Sequence, residues 1–172
     1  GQAVGSEKYD YKLRWLAALR DWLAEEIVRH PKLVVLGDFN IAPTDADNGD
    51  PTVVDGVSTH VSPPEREAFQ ALLGAGLADA VRPLVPTGYT YWDYKQLRFP
   101  RNEGMRIDFI MGSEAFAGAV TGASIHREER KGEQPSDHVP VVVDLGFGSA
   151  DDDGDLVPLA GHAGDLAGDT LH

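Results

Sequence analysis

The sequence contains no cysteine, comparatively few positive charges and no long apolar run. The absence of Cys excludes a disulfide scaffold, a thiol nucleophile and a Cys-based zinc or iron–sulfur site. Any metal must therefore bind to oxygen and imidazole ligands. No apolar run approaches the roughly 18 residues needed to cross a bilayer, which excludes a membrane span. The 172 residues correspond to one domain plus a tail, or to half of a larger unit.

Negative charge dominates, but it is unevenly distributed. Lys and Arg number 15 against 28 Asp and Glu, which argues against a nucleic-acid binder that relies on a global positive field. From Ala150 onward the chain carries six Asp and no Lys or Arg. That segment also lacks aromatic residues, so it cannot bury enough apolar surface to offset the entropy of ordering. We expect a single domain over residues 1–147 and a disordered acidic tail over residues 148–172.

Apolar spacing predicts helices interleaved with short strands. A long helix is predicted from Lys8 to His30, because apolar residues recur there at intervals of three and four. Ser62-Pro63-Pro64-Glu65 is a capping box that begins a second helix ending near Gly74 to Gly76, and Ser113 caps a short third helix through Val120. Strands are predicted at Leu33–Leu36, with both faces buried, and at Met105–Met111, Ala123–Arg127 and Val139–Leu145. This order indicates an α/β or layered α+β class.

A basic and aromatic loop, Tyr89–Arg106, contrasts with the acidic remainder of the chain. It holds four Lys or Arg against two acidic residues, together with five aromatic side chains. Lys and Arg contact phosphates and aromatic or apolar side chains contact unstacked nucleotides, so one interpretation is a DNA-binding loop. The alternative is a solvated loop whose rings pack on the core.

Several polar residues stand at strand positions where burial is expected. Asp38 and Asn40 follow the first predicted strand, Asp108 lies inside another, and Asp137-His138 precedes the last. A buried carboxylate is costly unless it is paired, hydrogen-bonded or metal-bound, so the set predicts a site. Each residue also has a simpler explanation, namely an Asx-turn or helix cap at Asp38, a turn at Asp137-His138 and an internal ion pair with an Arg at Asp108.

The set suits metal-assisted phosphoryl hydrolysis. Asp oxygens, an Asn amide and water are ligands that Mg²⁺ or Mn²⁺ prefers. A His beside a metal-binding Asp can take a proton from water if a second carboxylate fixes its tautomer, a role open to Asp108. A serine-based triad fits less well, because the sequence has no Gly-x-Ser-x-Gly motif.

Four ordered segments carry a family resemblance that covers Gly1 to Leu145. They read GDFNIAPTD at Gly37–Asp45, YWDY at Tyr91–Tyr94, NEGMRID at Asn102–Asp108 and PSDHVP at Pro135–Pro140. In this order they resemble the signatures of the exodeoxyribonuclease III family, part of the endonuclease/exonuclease/phosphatase superfamily that includes the abasic-site endonucleases of DNA repair.

The resemblance implies a role for each candidate residue. Asp38 would position or protonate reacting groups, Asn40 would bind the scissile phosphate, and Asp108 would orient His138, itself the base or a phosphate contact. The implied ligands of Mg²⁺ or Mn²⁺ are Asp137, Asp38, Asn40 and His138. The implied DNA contacts are Tyr91, Trp92, Met105, Arg106 and Ile107, of which all but Arg106 match positions that line a pocket for an abasic sugar.

The resemblance also implies an architecture. The family fold is a four-layer α/β/β/α sandwich of the DNase I-like type, and the chain resembles its second half, with a mixed sheet and helices on one face. The first half would supply an Asn, a metal-binding Glu and a catalytic Tyr, none of which has a matching position here. Because the chain begins with Gly1 and carries no secretory signal, we expect a processed or incomplete chain that is weakly active or inactive alone.

The implied function is a metal-dependent DNA repair nuclease. It would act on double-stranded DNA at abasic sites and 3′ ends, as a monomer when complete, in the cytoplasm and near the nucleoid. One alternative is a phosphodiesterase or phosphatase acting on a small molecule or lipid. Another is a non-catalytic remnant that binds a partner through the sheet face left bare by the missing half.

Overall fold

The computed structural model describes residues 2–146, so the predicted acidic tail lies outside the described residues. The helices are α1 (Glu7–Arg29), α2 (Pro63–Gly74), α3 (Arg98–Arg101) and α4 (Glu114–Ala119). The strands are β1 (Val34–Asp38), β2 (Ala78–Asp79), β3 (Asp108–Gly112), β4 (Val120–Ile125) and β5 (Val141–Leu145). Within these residues, no helix combines the length and apolar character that a membrane span requires.

The three predicted helices are confirmed, and their ends follow from local capping. Ser6 begins α1 by accepting a hydrogen bond from the Tyr9 amide at 3.2 Å, and the helix ends before Pro31, which cannot continue it. In α2 the predicted capping box forms, because the Ser62 side chain accepts from the Glu65 backbone amide and the Glu65 carboxylate accepts from the Ser62 amide. The short α3 and the two-residue β2 have too little periodicity to be predicted.

Helices α1 and α2 cover one face of the sheet formed by β1, β3 and β2. The core between them joins side chains from both layers, including Leu16, Leu19 and Leu23 of α1, Phe69 and Leu72 of α2, and Val35, Phe109 and Met111 of the sheet. The rings of Phe69 and Phe109 lie 4.8 Å apart between centroids. Full burial of each large apolar side chain contributes about 1.5–3 kcal/mol, so this layer holds the sheet in place.

The α/β class is confirmed, but the sheet differs from the expectation in direction and coverage. Every strand pair among residues 2–146 is antiparallel, in the order β1-β3-β2 and in a separate β4-β5 pair, rather than in one mixed sheet. Apolar patterning does not encode strand direction, which explains the difference. Burial of β1 on both faces is also wrong, since Val35 is buried by the helices while Leu36 on the opposite face is 60% exposed.

The predicted strand Met105–Met111 is shorter than expected. Regular pairing begins only at Asp108, so that residue starts β3 instead of lying mid-strand. Before it, Met105 forms isolated bridges with Asn48 and Tyr91, because the backbone there turns to pair with different segments. Alternation of apolar residues persists through this change of partner and does not reveal it.

Arg106 lies inside this region as the centre of a buried ion-pair network. Arg106 is 5% exposed, and its guanidinium donates to Asp47 at 2.6 Å and to Asp79 at 2.5 Å. Asp47 is itself buried and also pairs with Arg82 at 2.5 Å. Burial raises the pKa of Asp47, but the hydrogen bonds and charge of Arg106 outweigh it and the pKa is lowered overall. The network ties the loop after β1 to β2 and to the start of β3.

Replacing Arg106 is therefore expected to destabilise the fold. In Arg106→Met the carboxylates of Asp47 and Asp79 lose a buried partner, which costs about 3–5 kcal/mol when one member of such a pair is removed. The matched control Arg101→Met removes an exposed Arg and should change the free energy of unfolding by less than about 0.5 kcal/mol. Urea unfolding of both variants measures the difference. Equal losses would show that the network contributes no stability.

Candidate active site

The antiparallel pairing of β1 and β3 brings two of the predicted carboxylates together. Asp38, the last residue of β1, is registered opposite Asp108, the first residue of β3. Gly37 precedes Asp38 with φ at +147°, a backbone conformation that favours glycine. The ladder continues past the strand end, because the Phe39 amide donates to the Ile107 carbonyl at 2.9 Å. Both carboxylates consequently lie at one end of the sheet.

Asn40 folds back onto Asp38 in an Asx-turn. Its backbone amide donates to Asp38 Oδ1 at 2.8 Å, and its side-chain amide donates to Asp38 Oδ2 at 3.1 Å. Asn40 has φ at +51°, in the left-handed region that Asn tolerates better than most residues. The simpler explanation for Asp38 is thus correct, and the same carboxylate also faces Asp108. Asp38 therefore takes part in the Asx-turn and also faces the second carboxylate of the site.

His138 reaches the two carboxylates through the pairing of its own segment. The Val139 amide donates to the Thr90 carbonyl at 2.9 Å, and the Trp92 amide donates to the Asp137 carbonyl at 3.0 Å. The Ser136 hydroxyl accepts a hydrogen bond from the His138 amide at 3.1 Å, which forms the predicted turn. Backbone pairing therefore places the imidazole beside Asp108, about thirty positions earlier in the chain.

Asp38, Asp108 and His138 form a compact cluster. His138 Nδ1 lies 2.8 Å from Asp108 Oδ2, and His138 Nε2 lies 3.8 Å from Asp38 Oδ2. One ligand atom from each of the three residues falls within 4.8 Å of the other two. Because Asp108 pairs with His138 and not with an Arg, its carboxylate can fix the tautomer with the proton on Nδ1. Nε2 then faces Asp38.

Burial and nearby charges both shift the pKa values of His138 and Asp108. Burial lowers the pKa of His138, but the Asp108 hydrogen bond and the charges of Asp108, Asp38 and Asp137 outweigh it, so the pKa is raised above its ordinary value. Burial also raises the pKa of Asp108, against hydrogen bonds with Thr90 and His138 that lower it. His138 accordingly holds a proton at higher pH than a free imidazole does.

Asp137 is not part of this cluster. Its carbonyl takes part in the pairing with Trp92, and its side chain is half-buried outside the set formed by Asp38, Asp108 and His138. Of the predicted metal ligands, the structure brings Asp38 and His138 together, with Asn40 hydrogen-bonded to Asp38. Asp137 acts on them at longer range, through its charge on His138.

Most of the implied DNA contacts lie in the protein interior. Trp92 is fully buried and packs its ring edge against Tyr89 and Phe99. Met105 and Ile107 are buried in a cluster with Ala42 and Val61, and Arg106 is bound to its two carboxylates. These placements correct the expectation, because a side chain covered by the chain itself has no surface to offer DNA. A direct DNA contact is therefore not retained for Trp92, Met105, Arg106 or Ile107.

Tyr91 lies beside the cluster formed by Asp38, Asp108 and His138. Its half-buried ring lies 5.1 Å from the His138 ring between centroids, and its backbone bridges both Met105 and His138. The remainder of the basic and aromatic loop divides in two. Arg98 is buried against Glu103 and Asp50, whereas Tyr94 and Leu97 are 62% and 65% exposed. Both interpretations of the loop describe part of it.

Some residues of the site carried no signal in the sequence. The Thr90 hydroxyl is buried and accepts hydrogen bonds from the Ile107 and Asp108 amides at 3.1 Å and 3.2 Å, which fixes the start of β3. Lys12 and His60 both contact the Asn40 carbonyl. A lone Thr, Lys or His has no pattern that would distinguish it, although the capping box pointed to the helix end near His60.

A cleft of about 510 Å³ opens between α1 and the Asp38–Asn40 turn. Its walls include the aromatic side chains Tyr11 and Trp15 and the amine of Lys8. Tyr11 is 48% exposed, although it stands on the same helix as the buried core leucines. Asp38 and Asn40 line the opposite wall, so the cleft reaches the candidate site from the side of α1.

Comparisons with known proteins agree on one family. The model of the Endonuclease/Exonuclease/phosphatase family matches residues 2–138. Exodeoxyribonuclease III of Haemophilus influenzae is 33% identical over 142 residues, which cover 78% of this chain and 53% of that protein. A 3′ phosphatase of Neisseria bound to a product DNA hairpin is 44% identical with a TM-score of 0.80, covering 86% of this chain and 58% of that one. An AP endonuclease of Archaeoglobus fulgidus is 31% identical with a TM-score of 0.76, over the same shares of the two chains.

The hydrogen bond between Asp108 and His138 predicts how His138 titrates in metal-free buffer. In Asp108→Asn the pKa of His138 should fall, because burial then acts without the opposing carboxylate. NMR titration of the ring protons measures this, and exposed His126, which contacts Ser124, is the internal control. A folded-state pKa above the unfolded value of about 6.5 stabilises the fold below that pH, and this stabilisation is lost as pH rises through the folded pKa. An unchanged His138 titration in the variant would contradict the pairing.

Proposed function

Because the chain belongs to the Endonuclease/Exonuclease/phosphatase family, we propose that it is the C-terminal half of a divalent-metal-dependent DNA repair nuclease. Its reaction would be phosphodiester hydrolysis at 3′ ends and at abasic sites. The observation that carries the proposal is the meeting of Asp38, Asp108 and His138 at one end of the sheet, next to Asn40. The chain spans about half the length of the curated relatives it matches, and the other half would complete the site.

The contacts of His138, Asp38 and Asn40 give each residue a different role in the proposed hydrolysis. Asp108 holds Nδ1 of His138, and the raised pKa of His138 lets the ring keep its second proton to higher pH than a free imidazole does. An Nε2–H group of this kind can bind and neutralise a phosphoryl oxygen. Asp38, whose side chain is about one-third exposed, is free to accept the proton of an attacking water. The Asn40 amide, aimed at Asp38, is placed to hold the same phosphate.

The donor set fits a divalent cation. Asp38, Asp108 and His138 offer ligand atoms within 4.8 Å of one another, and the Asn40 amide lies beside Asp38. The carboxylate and amide oxygens suit Mg²⁺ or Mn²⁺. Asp38 and Asn40 would hold the ion, and the other half would add further ligands. When bound, the ion would supply positive charge for the phosphate.

The named relatives favour DNA over a small molecule as the substrate. The 44% identical structure is that of a 3′ phosphatase with a DNA hairpin, and a second Neisseria structure with 45% identity is named a 3′-5′ exonuclease. On this chain, the exposed cations Lys95 and Arg101 and the ring of Tyr91 lie on the loop that runs beside His138. Phosphate contacts from such cations would offset the negative charge of the whole chain.

Apolar residues exposed on the strands support the proposal of a second half and also favour one rival function. Leu36 of β1 is 60% exposed on the face of its sheet opposite the helices, and Val142 and Leu145, which alternate between the two faces of β5, are 38% and 40% exposed. Sheets commonly bury such residues against another sheet. If the surface instead receives an unrelated protein, the chain is a partner-binding remnant.

A cleavage assay separates these possibilities. The chain alone should show little turnover of duplexes bearing a 3′-phosphate end or an abasic site in Mg²⁺, because ligands that act as a unit are incomplete. Fusion to the part of the Haemophilus influenzae relative that this chain does not cover should restore cleavage. The same fusion carrying His138→Ala is the control. Robust turnover by the chain alone would refute the half-site, and an inactive fusion would favour the partner-binding remnant.

Side-chain roles are tested in the active fusion. His138→Ala and Asp38→Asn should each lower kcat by about 10² or more, as expected when a group that neutralises the phosphate or a general base is lost. The matched controls are His126→Ala and Asp21→Asn, which change exposed residues of the same types outside the cluster. Activity on bis(para-nitrophenyl) phosphate, measured in parallel, tests the small-molecule alternative. Wild-type rates for both site variants across a Mg²⁺ titration would show that the proposed site is wrong.

A further inference from the structure

The backbone conformation of Asn40 requires support. A non-glycine residue at φ +51° is less stable than in ordinary conformations, and it persists where surrounding contacts determine it. Two hydrogen bonds converge on its carbonyl oxygen, from Lys12 Nζ at 2.6 Å and from His60 Nδ1 at 2.7 Å. With its amides bonded to Asp38, Asn40 is held from both sides of the peptide.

Lys12 is itself held by a buried carboxylate. Its ammonium lies 2.6 Å from Glu65 Oε1, and the Glu65 side chain is fully buried. The same carboxylate accepts hydrogen bonds from the Ser62 hydroxyl at 2.6 Å and the Thr59 hydroxyl at 3.2 Å. Glu65 belongs to α2 and Lys12 to α1, so α2 is linked to the Asn40 carbonyl through Lys12.

The start of α2 does not require a charged side chain at Glu65. A capping box forms equally with Gln, because only an acceptor for the Ser62 groups is required. Burial raises the pKa of Glu65, but hydrogen bonds from Lys12 and Ser62 outweigh it, and the carboxyl stays ionised. An ionised carboxylate in the interior is costly, and here its charged partner is the Lys12 ammonium, which also donates to the Asn40 carbonyl.

We propose that Lys12, anchored by Glu65, is a positioning residue that fixes the left-handed turn at Asn40 and thereby aims its amide at Asp38 and the scissile phosphate. This inference rests on the proposed function, because the phosphate is the substrate group that Asn40 would hold. Lys12 acts through the backbone of Asn40 and does not itself contact the substrate. Glu65 keeps the Lys12 ammonium at the Asn40 carbonyl and prevents the side chain from extending into solvent.

The first test needs no activity. In the chain, Lys12→Met/Glu65→Gln replaces both charges with neutral groups and retains an acceptor for the capping box, so folding is expected to survive. The ¹H–¹⁵N signals of the Asn40 backbone and side-chain amides, assigned by their loss in Asn40→Ala, should shift or broaden. The matched control Lys131→Met/Glu128→Gln removes an exposed Lys–Glu pair and should leave them in place. Unmoved Asn40 signals in the Lys12 variant would overturn the proposal, whether or not the protein is a nuclease.

The second test uses the active fusion and a double-mutant cycle. Lys12→Met/Glu65→Gln should lower kcat about tenfold with KM little changed, since a small misplacement of a positioning group slows the bound reaction. Adding Asn40→Ala should cause no further loss beyond that of Asn40→Ala alone, because Lys12 acts through Asn40. Losses that multiply, or a raised KM with unchanged kcat, would overturn the proposal in favour of a direct phosphate contact.

The two tests also separate this inference from the proposed function. Shifted Asn40 signals together with an inactive fusion would support the positioning role of Lys12 while rejecting the nuclease. An active fusion with unshifted signals would reject the positioning role alone. Lys12→Arg, which preserves the ammonium-like donor and the charge, should recover much of kcat and of the Asn40 signal positions.

Discussion

The carboxylates of Asp38 and Asp108 face each other where β1 ends and β3 begins, and the other residues of the site offset the repulsion between them. Like charges at such a separation disfavour joint ionisation unless hydrogen bonds or a cation compensate. Here His138 bonds one carboxylate and faces the other, while the amides of Asn40 bond Asp38. Each of these donors comes from a different segment of chain. The fold therefore concentrates acceptors at one sheet end and brings donors to them.

Much of the fold follows from the sequence, because its signals are local. The α1 helix shows a regular apolar period, and the Ser62–Glu65 capping box marks the start of α2. The sequence also predicts that Asp38, Asp108 and His138 belong to one site, although it places Asp108 inside a strand that Asp108 in fact begins. What could not be foreseen is pairing between distant segments. The change of partner at Met105 and the antiparallel direction of the strands depend on such pairing.

The clearest error concerns residue types whose chemistry is ambiguous. Arginine and tryptophan are typical of nucleic-acid surfaces and are also used inside proteins when they find partners. Arg106 finds two carboxylates, and Trp92 finds the rings of Tyr89 and Phe99. The sequence contains Arg106 and its distant carboxylates but does not show that folding brings them into contact. Burial, which depends on the whole chain, decides between the two uses.

The internal pairing of the loop arginines also sets how the loop responds to ionic strength. Of the four cations between Tyr89 and Arg106, Arg98 and Arg106 are neutralised within the fold, which leaves Lys95 and Arg101 exposed. Each phosphate contact on duplex DNA contributes about −0.9 to the slope of log affinity against log salt concentration. In the proposed DNA complex, the loop would therefore contribute a slope of only about −2, half of what its composition suggests. Counterion release from the DNA would have to come mainly from other surfaces of the complete protein.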